Sequence, residues 1–95
     1  MLEKQIEKAV CDYAKSKGLL HYKFTSPGHL GVPDRMFVTK RGTIFFIEFK
    51  SESGKTTPSQ EREIARLAGH NVTVFVVHGV DNGKDIIDAF GNHGE

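Results

Sequence analysis

The run Ile44-Phe45-Phe46-Ile47-Glu48-Phe49-Lys50 constrains this chain more than any other stretch. Its density of Ile and Phe predicts a strand buried on both faces. Side chains two apart on a strand share a face. Glu48 and Lys50 therefore project together, while Phe45, Ile47 and Phe49 project the other way. A carboxylate on a core strand is costly unless it is paired or holds a metal. One reading is a Glu–Lys ion pair at the end of a strand; the other is a chemical site.

A chain of 95 residues is expected to form one domain, residues 1–95, with a small core that dimerisation would help to stabilise. Hydrophobic content of 38% and charged content of 26% place it among folded globules rather than disordered chains. The net charge of +1 supplies no global basic field, so any DNA binding must come from local clustering or from a patch doubled in a dimer. One cysteine, Cys11, excludes an intrachain disulfide and fits a reducing, cytoplasmic setting. Met1-Leu2-Glu3-Lys4 runs directly into an amphipathic helix, so no signal peptide is expected. No apolar stretch approaches the ~20 residues that span a membrane. The five histidines and Cys11 show no zinc-ligand spacing.

Residues 2–17 predict a first helix, with Leu2, Ile6, Ala9, Val10 and Tyr13 on one stripe and Gly18 closing it. Cys11 falls almost opposite that stripe, so a solvent- or interface-facing position is expected. Residues 19–25 predict a strand, 26–33 a loop with two Gly and two Pro, and 34–39 a second strand. Residues 40–43 read as a turn that joins it in a hairpin to the 44–50 strand. After a polar loop at 51–56, Thr57-Pro58-Ser59-Gln60 has the residues of a capping box, opening a helix to about Ala68. Val72 to Val77 reads as an internal strand, parallel to and beside 44–50 because a helix precedes it. Asp85 to Phe90 predicts a short final helix, and Gly91 to Glu95 a loose tail. The order α-β-β-β-α-β, with that last helix, describes an α/β fold with a mixed sheet flanked by helices.

Across the hairpin the start of one strand lies beside the end of the next, which brings Asp34 near Glu48. Two converging carboxylates repel unless a cation sits between them, and hard oxygen ligands favour Mg²⁺ or Mn²⁺. Lys50 beside such an ion could orient a water or help deprotonate it. Glu3 and Glu7 lie one turn apart on the first helix, and Glu3 flanks the apolar stripe more closely, so it is the better placed helix acid. Lys23, Arg35, Lys55, Arg62 and Arg66 are candidate phosphate contacts, and His29 could touch DNA.

These residues together resemble a known family. Pro33-Asp34, a hairpin, then Glu48-Phe49-Lys50 is the PD-(D/E)xK nuclease signature. The longer pattern is more specific: Glu3-x-x-Ile6, Lys23-Phe24-x-Ser26-Pro27-Gly28, Gly31-Val32-Pro33-Asp34-Arg35, Phe46-Ile47-Glu48-Phe49-Lys50, Gly54-Lys55 and Gln60. Over about residues 3–78 it is similar to the VRR-NUC (virus-type replication-repair nuclease) family. The resemblance implies a restriction-endonuclease-like core and a Mg²⁺- or Mn²⁺-dependent endonuclease that leaves 5′-phosphates. It also implies a small phage-associated homodimer, arranged like Holliday junction resolvases, that acts on branched DNA. It implies Asp34, Glu48, the Phe49 carbonyl and Glu3 around the metal, Lys50 as the catalytic lysine, and Gln60 lining the site. The rival readings are a non-catalytic DNA-binding or dimerisation module on the same scaffold and a structural subunit of a larger assembly.

Overall fold

The computed structural model describes residues 1–91. Its elements are α1 (Glu3–Ser16), β1 (Leu20–Lys23), β2 (Arg35–Val38), β3 (Ile44–Phe49), α2 (Pro58–Gly69), β4 (Val74–Val77) and α3 (Val80–Gly91). The four strands form one mixed sheet in the order β1-β2-β3-β4. β1–β2 and β2–β3 are antiparallel, while β3–β4 is parallel, as a crossover through α2 requires. The 40–43 hairpin closes with Gly42 N–H donating to Thr39 O at 2.9 Å, Gly42 taking a left-handed φ of 85°.

β3 is the spine. From Phe45 to Phe49 every residue is buried. Phe45, Ile47 and Phe49 pack with Phe37 of β2 and Val77 of β4 against Ile6, Val10 and Ala14 of α1 and Ile87 of α3. Phe45 and Phe37 stack at 5.3 Å, and Phe90 of α3 lies 4.7 Å from Phe45. The opposite face carries Phe46 and Glu48 and is covered at one end by α2.

Four expectations need correction. β4 is an edge strand, not an internal one. Its apolar residues are covered by helices rather than by a further strand: Phe75 makes edge contacts with both Phe45 and Phe90. α3 begins at Val80 rather than Asp85. The added first turn carries Gly83, where α1 passes so close that an added Cβ would strike Val10. The buried stripe of α1 is Ile6, Val10, Cys11 and Ala14, rotated away from Leu2, which is exposed. Cys11 is accordingly buried, only 4% exposed, because α1 lies across β1 and β2 on that side. The expected loose tail from residue 91 lies, beyond Gly91, outside the described residues. Among the described residues no helix is long and apolar enough to cross a membrane.

Candidate metal centre

The β2–β3 register pairs Arg35 with Ile47, and continuing it by one residue sets Asp34 opposite Glu48. Both side chains therefore rise from the same face of the sheet. Asp34 is anchored on two sides: its Oδ2 accepts from Phe49 N–H at 2.9 Å, and its carbonyl accepts from Phe24 N–H at 2.9 Å. The preceding Pro33 is buried and fixes the approach. Glu3, at the start of α1, reaches the same point. One carboxylate oxygen from each of Glu3, Asp34 and Glu48 lies within 4.8 Å of the others.

Glu48 is 1% exposed. Its Oε2 accepts from Gln60 Nε2 at 2.9 Å and sits 3.4 Å from Lys50 Nζ. Its Oε1 is buried and has no hydrogen-bond partner among the described residues. Burial first, and then the charge of Asp34, push the Glu48 carboxyl up to about 7 despite Lys50 beside it. A buried carboxylate oxygen with no donor, on one of three acids that converge within 4.8 Å, suits a hard divalent cation. The donor set fits Mg²⁺ or Mn²⁺ and does not fit a soft ion, since it contains no sulfur or imidazole.

Gln60 forms the expected capping box and also touches Glu48. Its Oε1 accepts from Thr57 N–H at 2.9 Å and its N–H donates to Thr57 Oγ1 at 3.2 Å, completing the capping box of α2. The same side chain's Nε2 then reaches Glu48. The 26–33 loop allows this close fit. Gly31 has φ 89° and passes against the backbone of Ser59 and Gln60, where a Cβ has no room.

Glu7 is brought elsewhere. Its Oε2 accepts from Arg35 Nε at 2.6 Å and lies 3.4 Å from Lys23 Nζ. Burial raises its pKa, but Arg35 and Lys23 outweigh burial and hold it below the usual carboxylate range. Sequence reasoning missed this ion pair. Its only trace was the Glu3–Glu7 spacing, which cannot tell which of the two acids meets Arg35. His29 is engaged by Glu63, Nε2 to Oε1 at 2.7 Å, a pairing 34 residues apart that no local pattern signals. Arg62 and Arg66 line a second cleft of about 200 Å³ with His29 and Leu30, while Lys55 is exposed on the 51–56 loop. Neither cleft nor loop brings these cations to the carboxylates.

The family model for the VRR-NUC domain matches residues 4–81. The chain belongs to the VRR-NUC family. A protein named "Putative nuclease p44", from Acyrthosiphon pisum secondary endosymbiont phage 1, is 46% identical over 75 residues, covering 77% of this chain and 81% of that protein. A solved VRR_NUC domain is 30% identical with a TM-score of 0.84, covering 93% of this chain and 96% of its own. A second solved VRR_NUC domain protein has a TM-score of 0.70 at 21% identity, covering 93% of this chain and 86% of its own, and shows the shared fold alone. These likenesses support a nuclease whose acidic centre suits a divalent metal.

Proposed function

We propose that this VRR-NUC domain is a Mg²⁺- or Mn²⁺-dependent DNA endonuclease acting on branched DNA, such as four-way junctions or flaps, in phage replication or repair within the bacterial cytoplasm. The observation that carries the reading is the convergence of Glu3, Asp34 and Glu48 with Lys50 around one unpartnered, buried carboxylate oxygen. Glu3, Asp34, Glu48 and the Phe49 carbonyl would hold the cation. When bound, it supplies neutralisation of phosphoryl charge and a water of lowered pKa.

The chain's own residues do the rest. Asp34 is held by Phe49 N–H through Oδ2, which fixes its carboxylate beside Glu48 and leaves Oδ1 uncommitted by that bond. Gln60 fixes the Glu48 carboxylate by occupying Oε2, which leaves Oε1 for the cation. Lys50 is buried with its ammonium beside Glu48, placed to orient the attacking water and to stabilise the negative charge that develops as the water loses its proton to solvent. Phosphate contacts fall to Lys23, Arg35, Lys55 and Arg62. The centre lies at one end of the sheet face; Leu20, Tyr22 and Ile44 leave apolar surface at the other end, 56%, 51% and 50% exposed. Leu20 and Ile44 are joined through Val38 in one cross-strand row. That surface supports a homodimer, whose two centres would cut opposing strands of a branch.

Cleavage of a four-way junction, a flap and plain duplex, each with Mg²⁺ or Mn²⁺, tests the proposal. Cutting of the branched substrates in preference to duplex is expected. A well-folded protein that cuts none of them ends the enzyme reading. Sedimentation at micromolar concentration is expected to show a dimer.

A further inference from the structure

On the other face of the sheet, two strands set like charges against each other. Lys23 of β1 and Arg35 of β2 are direct register partners, and like charges opposite one another on an antiparallel pair destabilise it. Within the chain, one carboxylate oxygen answers both: Glu7 Oε2 takes Arg35 Nε at 2.6 Å and lies 3.4 Å from Lys23 Nζ. α1 then adds Lys4 and Lys8 to the same cleft, whose volume is about 330 Å³. Four cationic side chains thus face two carboxylates, Glu7 and Asp12, a surplus of two positive charges in one cleft. The whole chain carries a net charge of only +1, so the surplus is a concentration of charge, not a sample of the average. Arg35 is bound through Nε and Nη1, to Glu7 and His21, and its Nη2 has no protein hydrogen bond among the described residues.

The cleft adjoins the acidic centre along two elements. Lys4 follows Glu3 on α1, and Arg35 follows Asp34 at the start of β2. Each element therefore supplies one acid to the centre and one cation to the cleft at consecutive positions. Consecutive residues of a strand project to opposite faces, so acids and cations lie on either side of the same strand end, and a polyanion presented to the one is drawn toward the other. We propose that this cleft seats a phosphodiester of the DNA strand adjacent to the one presented to Glu3, Asp34 and Glu48. Lys4, Lys23 and the free edge of Arg35 are its contacts, and Glu7 is the positioning residue that holds Arg35. The inference rests on the nuclease reading for its substrate, but its test does not require cleavage.

The test measures binding of a fluorescein-labelled duplex and a labelled four-way junction in Ca²⁺ across a salt series. The wild type is compared with Lys4→Gln/Lys23→Gln, in which both altered side chains are exposed and their loss spares the fold. Expected are a fall in affinity of about tenfold at low salt and a salt slope shallower by about 2, as loss of two phosphate contacts requires. Mn²⁺ binding by calorimetry should be retained in the double variant. Wild-type affinity and slope in that variant would overturn the cleft while leaving any cleavage activity standing. The converse result, a lysine-dependent affinity in a protein that cuts nothing, keeps the cleft and removes the nuclease. Inorganic phosphate alone is the last arm: weak competition supports a strand, and displacement of DNA by micromolar phosphate overturns the proposal in favour of a free-phosphate pocket.

Discussion

Glu3 and Glu7 leave the same helix one turn apart and meet opposite fates. Glu7 is neutralised within the chain by Arg35 and Lys23. Glu3 joins Asp34 and Glu48, where three carboxylates face one cation, Lys50, that already lies against Glu48. In the first region the acid is fully answered and cations are left over. In the second the acids outnumber the cation, and the buried Glu48 keeps one oxygen without a partner among the described residues, which is costly unless a ligand completes it. Burial alone does not draw this contrast, since Glu7 is more buried than Glu3.

The largest effects should come from the second region. Lys50→Ala is expected to lower the cleavage rate by at least about 100-fold with an unchanged circular dichroism spectrum; wild-type turnover would strip Lys50 of its role. Next comes the pair itself. Glu3→Gln should weaken Mn²⁺ binding by roughly tenfold or more in calorimetry, within the range for lost carboxylate ligands and their supports. Glu7→Gln should leave Mn²⁺ affinity intact and instead cost about 1 kcal/mol of folding stability by stranding Arg35. The reverse outcome would exchange the roles of the two acids.

A third test uses pH in the metal-free protein. Glu48 has a folded pKa of about 7 against an ordinary value of 4.5, so the native state binds more protons than the unfolded chain between those values. Its contribution to stability is therefore greatest at low pH and is lost as pH rises through that window, on the order of 3 kcal/mol in all. His21 acts in the opposite sense near its own range, because burial and then Arg35 lower its pKa. The comparison that isolates Glu48 is thus wild type against Glu48→Gln in EDTA, followed by thermal unfolding from pH 5 to 8. The variant should gain on the wild type as pH rises, and Mn²⁺ should restore the wild type alone. Parallel curves would mean that Glu48 is not strained. The smallest effect is expected for Gln60→Ala, about 1 kcal/mol from the lost capping box, with a loosened Glu48 visible as weaker Mn²⁺ binding.

Much of this was legible in the residues. The alternation of Glu48 and Lys50 against Phe45, Ile47 and Phe49 reads correctly because strand geometry is local and has period two. The capping box at Thr57–Gln60 and the hairpin at 40–43 are equally local. The misreadings lie where a second element decides. The final helix looks short, from Asp85, until the close contact of Gly83 with Val10 of α1 shows its first turn packed. Cys11 looks exposed until β1 and β2 are laid under that side of α1. β4 looks internal because helices on both sides cover it as strands would, and apolar composition does not distinguish the two.

By itself, then, the sequence determined which residues are candidates for the chemistry: an Asp after a Pro, a Glu-x-Lys closing a core strand, and acids opening the first helix. Only the tertiary structure decided their pairing. Arg35 lies 28 residues from Glu7, and Gln60 lies 12 from Glu48. Charge partners over such separations are fixed by how α1 and α2 dock on the sheet, and docking is set by the whole core at once rather than by any short stretch of chain.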